Sequence, residues 1–295
     1  APTSQPIDHT RTKDPKTMTT TLNTDIPTTN TPVGHPANTI PASRTIGDSI
    51  RNIPTTLNAE RIKLTSLRSN KAIVGLTAVV AGFVSWAIAT YVTDEVLTIT
   101  EIYTAATVFT AVFAAVGGIL LFTSESQHGT LGPALTAQPA RVIIAGSKTI
   151  VAAGFGAMLG AVGLAAGFAG GFLGPIATGD TSTIVSTSLW AIGFTSLASV
   201  LGLGIGMIAR VSTAAVSGLL VWWLVVENLM SAFLAERFAR FMPFVAGNGM
   251  LGQAGPDGGS PEVALTTTEN ALVFGGYAAV ALLLGTVLLY RRDTN

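Results

Sequence analysis

Residues 124–148 read SESQHGTLGPALTAQPARVIIAGSK. Long apolar runs flank this stretch, at roughly 102–123 and 149–173. Gly129, Gly132 and Pro133 disfavour one continuous helix through it. PARVIIAGSK can restart a helix, with Pro139 in its first turn. The stretch is too long for a minimal turn, and its second half is too apolar for a floppy linker. It is a return between two elements, and the flanks decide what those elements are.

Of the 295 residues, 48% are hydrophobic and 11% charged. A soluble domain carries about 25% charged residues. Mean hydropathy is +0.55 although the first 70 residues are polar, so the remainder is more apolar still. An integral membrane protein follows. Lys plus Arg equals Asp plus Glu at 16 each, and no nucleic-acid partner is implied. The absence of Cys excludes disulfides and thiol chemistry. Three His, with His9 and His35 in the polar tail, offer no metal cluster, and no catalytic constellation emerges.

About 20 apolar residues cross a bilayer as a helix. Six spans are predicted, at roughly 72–92, 102–123, 149–173, 184–209, 212–234 and 271–290. The return at 124–148 therefore joins spans two and three. Charge gives the orientation. The segment before span one is basic; TDEVLTITE carries acids and no base. Arg141 and Lys148 follow span two, Asp180 follows span three, Arg210 follows span four, and Arg291 and Arg292 close the chain. This alternation places both termini and residues 124–148 in the cytoplasm. Arg237 and Arg240 are exceptions in the long outer loop, 235–270.

Residues 1–56, rich in Thr, Pro, Asn and Ser, lack apolar periodicity and are expected to be disordered. No apolar run follows their early charges, so a signal peptide is not expected. In LNAERIKLTSLRSNK, residues 57–71, Leu57, Leu64 and Leu67 share a helical face opposite Glu60, Arg61, Lys63, Arg68 and Lys71. The expectation is an amphipathic helix in the headgroup layer, which overlaps with a simple charged stop before span one.

Inside the spans, Gly156 and Gly160, then Gly163, Gly167 and Gly171, step by four along one helix. Such series admit a close neighbour, either within the chain or in a second copy. Gly-rich GLGIGM, residues 202–207, follows no strand and is read as packing. Glu227 is the only acid well inside an apolar run. A charge at that depth costs about 2.5–3.5 kcal/mol on insertion scales. Two readings are open for it: a polar lining of a path, or a group near the outer interface hydrogen-bonded to Asn228. Leu234, Phe238 and Phe241 follow at helical spacing, and Pro243 is expected to stop that helix.

Glu60-Arg-Ile-Lys63 before span one, Glu125 with Gly129-Thr130, Leu135, Pro139, Arg141 and Lys148, then six spans ending in LLYRRD, resemble the permease subunits of bacterial ABC type-2 exporters. The resemblance covers roughly residues 58–295. It implies a multi-pass protein of the bacterial cell membrane that dimerises with a second permease. It also implies a separate cytoplasmic ATPase that binds ATP and Mg; the chain has no G-x-x-x-x-G-K-[ST] loop of its own. Residues 57–71, with Glu60 and Lys63, would be the connecting helix. Residues 124–148 would be the coupling segment, with Glu125, Thr130, Arg141 and Lys148 as coupling residues. Short re-entrant helices between spans five and six would form an outer gate, with Glu227, Phe238 and Phe241 as path or gate candidates. From the residues alone, a membrane scaffold that transports nothing remains the alternative.

Overall fold

The computed structural model describes residues 58, 62, 68–92, 97–127, 141–174, 180–253 and 264–292. Their regular structure is helical: α1 (Arg68–Tyr91), α2 (Ile99–Gln127), α3 (Arg141–Gly171), α4 (Thr181–Ala209), α5 (Ser212–Phe233), two short helices α6 (Glu236–Ala239) and α7 (Pro243–Gly249), and α8 (Thr267–Arg292). The six long helices are each long and apolar enough to cross a membrane, as a multi-pass membrane protein requires.

Helix starts are written in local chemistry. Thr98 and Glu101 form a capping box on α2: the Thr98 amide and hydroxyl donate to Glu101 Oε2 at 2.7 and 2.8 Å, and the Glu101 amide donates back to Thr98 Oγ1. Thr266 and Glu269 repeat the device on α8. Each box satisfies amides that have no partner within the helix. Asp180 caps α4 by accepting from the Thr183 amide. The Ser182 hydroxyl, then that amide, hold the Asp180 carboxyl below its ordinary range. These caps start α2 and α8 three to four residues before the apolar runs that define spans two and six.

Helices α2 and α4 form the centre: 67% of the apolar window of each is buried, against 11% for α5. Glycine lets them meet backbone to backbone. A Cβ on Gly118 would collide with the Ser199 carbonyl and the Leu203 amide, and one on Gly202 with the Ala115 carbonyl. Where both sides would otherwise face hydrocarbon, such close approach supplies dispersion that larger side chains would block. Gly204, two residues from Gly202 and so on another face, meets Ala281 and Leu282 of α8, while Gly285 of α8 meets Met207. Residues 202–207 thus pack on two neighbours at once.

On α1, Asn70, Ile73, Thr77, Ala81, Ser85 and Ala89 are buried at steps of three and four, a single stripe. Leu76, Val79 and Phe83 on the other side are exposed, as a lipid-facing surface would be. Buried threonines need no partner from another helix. Thr77, Thr107, Thr110, Thr123 and Thr195 each donate to the carbonyl four residues back, so their methyl groups pack as apolar surface.

The helices have two ends. One carries Arg68, Gln127, Arg210 and Arg291; the other carries Tyr91, Ile99, Asp180 and the helices α6 and α7. Tyr103 fastens the second end, donating to the Ile184 carbonyl at 3.2 Å and accepting from Ser188. At the first, Arg210 closes α4 in the left-handed conformation (φ 58°), its amide donating to Gly206 O. A non-glycine residue there costs about 1–2 kcal/mol, partly offset because its cation sits at the negative end of the α4 dipole.

Candidate functional site

Two of the predicted coupling residues meet. Lys148 Nζ lies 2.9 Å from Glu125 Oε1, with the Lys148 side chain 2% exposed and Glu125 11%. Glu125 stands in the last turn of α2, where the helix dipole disfavours a carboxylate. Lys148, two turns into α3, brings the compensating cation. Next to it the Ser212 hydroxyl at the start of α5 donates to Gln127 Oε1. The ends of α2, α3 and α5 are thus tied at the point where the chain leaves for residues 128–140. Thr130 lies outside the described residues, as do Glu60 and Lys63. Arg141 is the first residue of α3; its side chain is not described. Helix α3 extends eight residues ahead of the predicted span, so a helix does restart within PARVIIAGSK, while Pro139, expected in its first turn, lies outside the described residues.

At the opposite end, Glu227 is 4% exposed. It does not pair with Asn228. Its Oε1 accepts the Val245 amide at 2.6 Å, and the Phe244 amide and Trp222 indole lie beside the same carboxylate. Phe244 and Val245 are in the first turn of α7. Met242, at the capping position, supplies no side-chain acceptor, and Glu227 performs that task from another helix. Pro243, expected to stop a helix, begins one instead. At the first helical position its missing N–H costs nothing and its fixed φ suits the turn. The preceding segment is not one amphipathic helix either, since α6 spans four residues.

Glu227 faces inward because α5 is not a uniform α-helix. Trp222–Val226 form a π-helical turn, with the Glu227 amide donating to Trp222 O. Ala215, Leu219 and Glu227 are buried. Steps of four on a straight α-helix drift by about 40° each, and the wider π turn takes up most of that drift. Asn228 Nδ2 donates to the Trp223 and Leu224 carbonyls at 3.0 and 3.1 Å, satisfying acceptors in the widened turn. Above this point Trp223, Phe244, Phe274 and Phe194 form an aromatic chain joining α5, α7, α8 and α4. Gly247 lies so close to the Phe194 ring that a Cβ would collide with it. Phe238 and Phe241 lie outside this chain and are exposed, each under a neighbouring guanidinium, Arg237 and Arg240, at 4.8 Å. Tyr277 of α8 holds the turn by donating to Phe241 O.

The five glycines of the two series all meet neighbours within the chain, Gly171 lying against Ile99 of α2. Gly156 and Gly160 face Thr195 and its surroundings on α4, Gly163 faces Thr110 on α2, and Gly167 faces Tyr103 of α2 and Ser85 of α1. The break between the two series of four marks the change of partner helix. Gly118, the counterpart of Gly202, and the acceptor role of Glu227 were not read from the sequence. The capping boxes had a signal, T-x-x-E at 98–101 and 266–269.

An apolar groove of about 460 Å³ runs between α4, α5, α7 and α8. Compared with protein-family models and with curated proteins, the sequence matches none.

Proposed function

We propose that the chain is the permease subunit of an ATP-driven ABC exporter of the bacterial cell membrane. In this reading both termini and residues 124–148 are cytoplasmic, and α6 and α7 form a re-entrant outer gate. A second permease copy or a related chain completes the path, and a separate cytoplasmic ATPase binds ATP and Mg. The reading rests on the resemblance of residues 58–295. The structural observation that supports it is the buried Glu125–Lys148 pair. It fixes the two points between which the coupling segment runs, so a push on that segment moves α2 and α3 together. The glycine contacts of α2 with α4 carry the displacement inward. The energy comes from the ATPase binding two conformations with different affinity. Glu227 then acts as a positioning residue for the gate, through its hold on α7.

Purification of tagged chain in mild detergent, with mass spectrometry of what stays bound, tests the architecture. A Walker-type ATPase in fixed stoichiometry supports it. Another membrane complex, with no ATPase, replaces it with a scaffold. In the ATPase complex, Arg141→Glu is expected to abolish stimulation of hydrolysis by the permease. An unchanged response removes Arg141 from the coupling surface.

A further inference from the structure

Arg237 and Arg240 are cations on the side where the charge alternation places few, and neither the α7 cap nor the aromatic chain uses them. Their setting is apolar and exposed. Phe233 closes α5 at 78% exposed, Phe238 follows at 55%, and Leu234 and Phe241 are exposed with them. The Arg237 guanidinium stands 4.8 Å from the centre of the Phe238 ring, and that of Arg240 stands 4.8 Å from Phe241. No carboxylate of a described side chain pairs with Arg237. Large apolar side chains and guanidiniums thus share one short segment, from Phe233 to Phe241.

Helix lengths fix the depth of this segment. Helix α5 begins at Ser212, tied to Gln127 at one end of the molecule, and runs 22 residues to Phe233. At 1.5 Å per residue that is about 33 Å, against about 30 Å of hydrocarbon. The chain therefore turns at the far boundary of the apolar layer. It does not rise above that boundary afterwards. Tyr277 lies about 15 Å along α8 from Thr267, yet its hydroxyl donates to Phe241 O. A tyrosine side chain and one hydrogen bond do not cover that distance, so Phe241 lies below the start of α8, on the apolar side. Arg240 beside it comes within electrostatic reach of Glu269, in the first turn of α8. Rings set low with a guanidinium reaching upward is how a long cationic side chain snorkels to the headgroups.

Chemistry decides what meets such a surface. Exposed Phe and Leu at this depth meet the edge of the acyl layer, as the apolar face of an interfacial helix does. A guanidinium there meets phosphate diesters, whose oxygens suit its fork of donors. We infer that Phe233–Phe241 is a phospholipid-binding surface: its apolar side chains enter the edge of the acyl layer and Arg237 binds headgroup phosphate. The segment that leads into α7 is thereby anchored in the membrane interface, opposite its hold on Glu227. The inference requires that the chain span a membrane, and it stands independently of the export reading.

Because the chain has no Cys, Leu234→Cys can carry a single bimane label while the three Phe side chains remain. The full chain is reconstituted in vesicles of phosphatidylcholine and phosphatidylglycerol. Iodide quenches from water, and a nitroxide on the upper acyl chain quenches from the lipid. Thr181→Cys, exposed at the start of α4, is the aqueous reference. The label at 234 should be quenched by the lipid nitroxide, and its iodide quenching should be at least about threefold weaker than at 181, as for a surface about 5–10 Å into the boundary. Arg237→Gln should raise the iodide-accessible fraction at 234 about fivefold, which corresponds to about 1 kcal/mol for one arginine at a charged membrane surface. Vesicles of digalactosyldiacylglycerol, which has no phosphate, should raise it similarly with Arg237 in place and leave Arg237→Gln unchanged. Iodide quenching at 234 equal to that at 181 overturns the proposal, because the segment would stand in water. So does protection from both quenchers, which would assign the surface to a second copy. Equal accessibility with and without Arg237 in both lipids overturns the phosphate contact.

Discussion

Replacing Lys148 with Met keeps the length of the side chain and removes its charge. At 2.9 Å from Glu125 Oε1, and with an effective dielectric of about 20, the lost attraction is about 6 kcal/mol before any solvation is considered. Both groups have given up water to meet, so the pair as a whole contributes far less than that. The asymmetry is the useful quantity. Removing one partner leaves the Glu125 carboxylate 11% exposed, with its cation gone and at the disfavoured end of α2. Breaking a buried pair in this way costs about 3–5 kcal/mol, whereas replacing both partners is often close to neutral. Lys148→Met should therefore lower the melting temperature in detergent by roughly 6–20 °C, at about 2–4 °C per kcal/mol for a unit of this size. Glu125→Gln combined with Lys148→Met should recover most of that loss. Tryptophan-fluorescence or size-exclusion melting of the four proteins of the cycle gives the coupling directly. If Lys148→Met melts with the wild type, the pair contributes nothing. If the double variant is as unstable as the two single losses added together, the residues act separately and the tie between α2 and α3 is wrong.

Three further outcomes follow from other contacts. Gly118→Ala places a methyl against the Ser199 carbonyl and Leu203 amide and should cost about 1–3 kcal/mol or more as overpacking; Gly154→Ala, with nothing within 4 Å, should stabilise by up to about 1 kcal/mol, and equal melting of the two variants would contradict the α2–α4 crossing. Glu227→Leu leaves the first-turn amides of α7 unsatisfied, at about 1–3 kcal/mol; since the chain has no Cys, a single cysteine at fully buried Ala246 should be alkylated about tenfold faster in that background, and an unchanged rate would mean α7 does not depend on Glu227. The carboxyl of Asp180 titrates below its ordinary range, so its capping contribution is complete above the unfolded value near pH 4 and is lost as pH falls through the folded value; the melting gap between wild type and Asp180→Ala should close on acidification, and a gap that stays constant would refute the cap.

Two kinds of feature were legible in the sequence. The six spans follow from apolar length, because in hydrocarbon only a helix satisfies its own backbone, and that rule needs no knowledge of neighbours. Turn and cap chemistry is equally local: Thr98 with Glu101, Thr266 with Glu269, and the restart of a helix after Pro139 depend on residues three or four apart. Gly156, Gly160, Gly163 and Gly167 announced close packing, because a missing Cβ has few other uses at a step of four. Their partners were not announced, since a glycine carries no information about which backbone approaches it. Pro243 shows the same limit. Its ring ends or begins a helix with equal ease, and an acceptor from outside the segment completes the choice.

The sequence by itself determined a chain of six apolar helices, and that one acid, Glu227, falls inside an apolar run. Tertiary structure alone decided that Glu125 and Lys148 are each other's partners, that Gly118 and Gly202 bring two backbones together, and that Glu227 caps α7 after a π turn rotates it inward. The physical reason is range. Helix formation and capping are settled within one or two turns of chain, whereas an ion pair 23 residues apart or a cap supplied from 18 residues away exists only once packing has put the helices side by side.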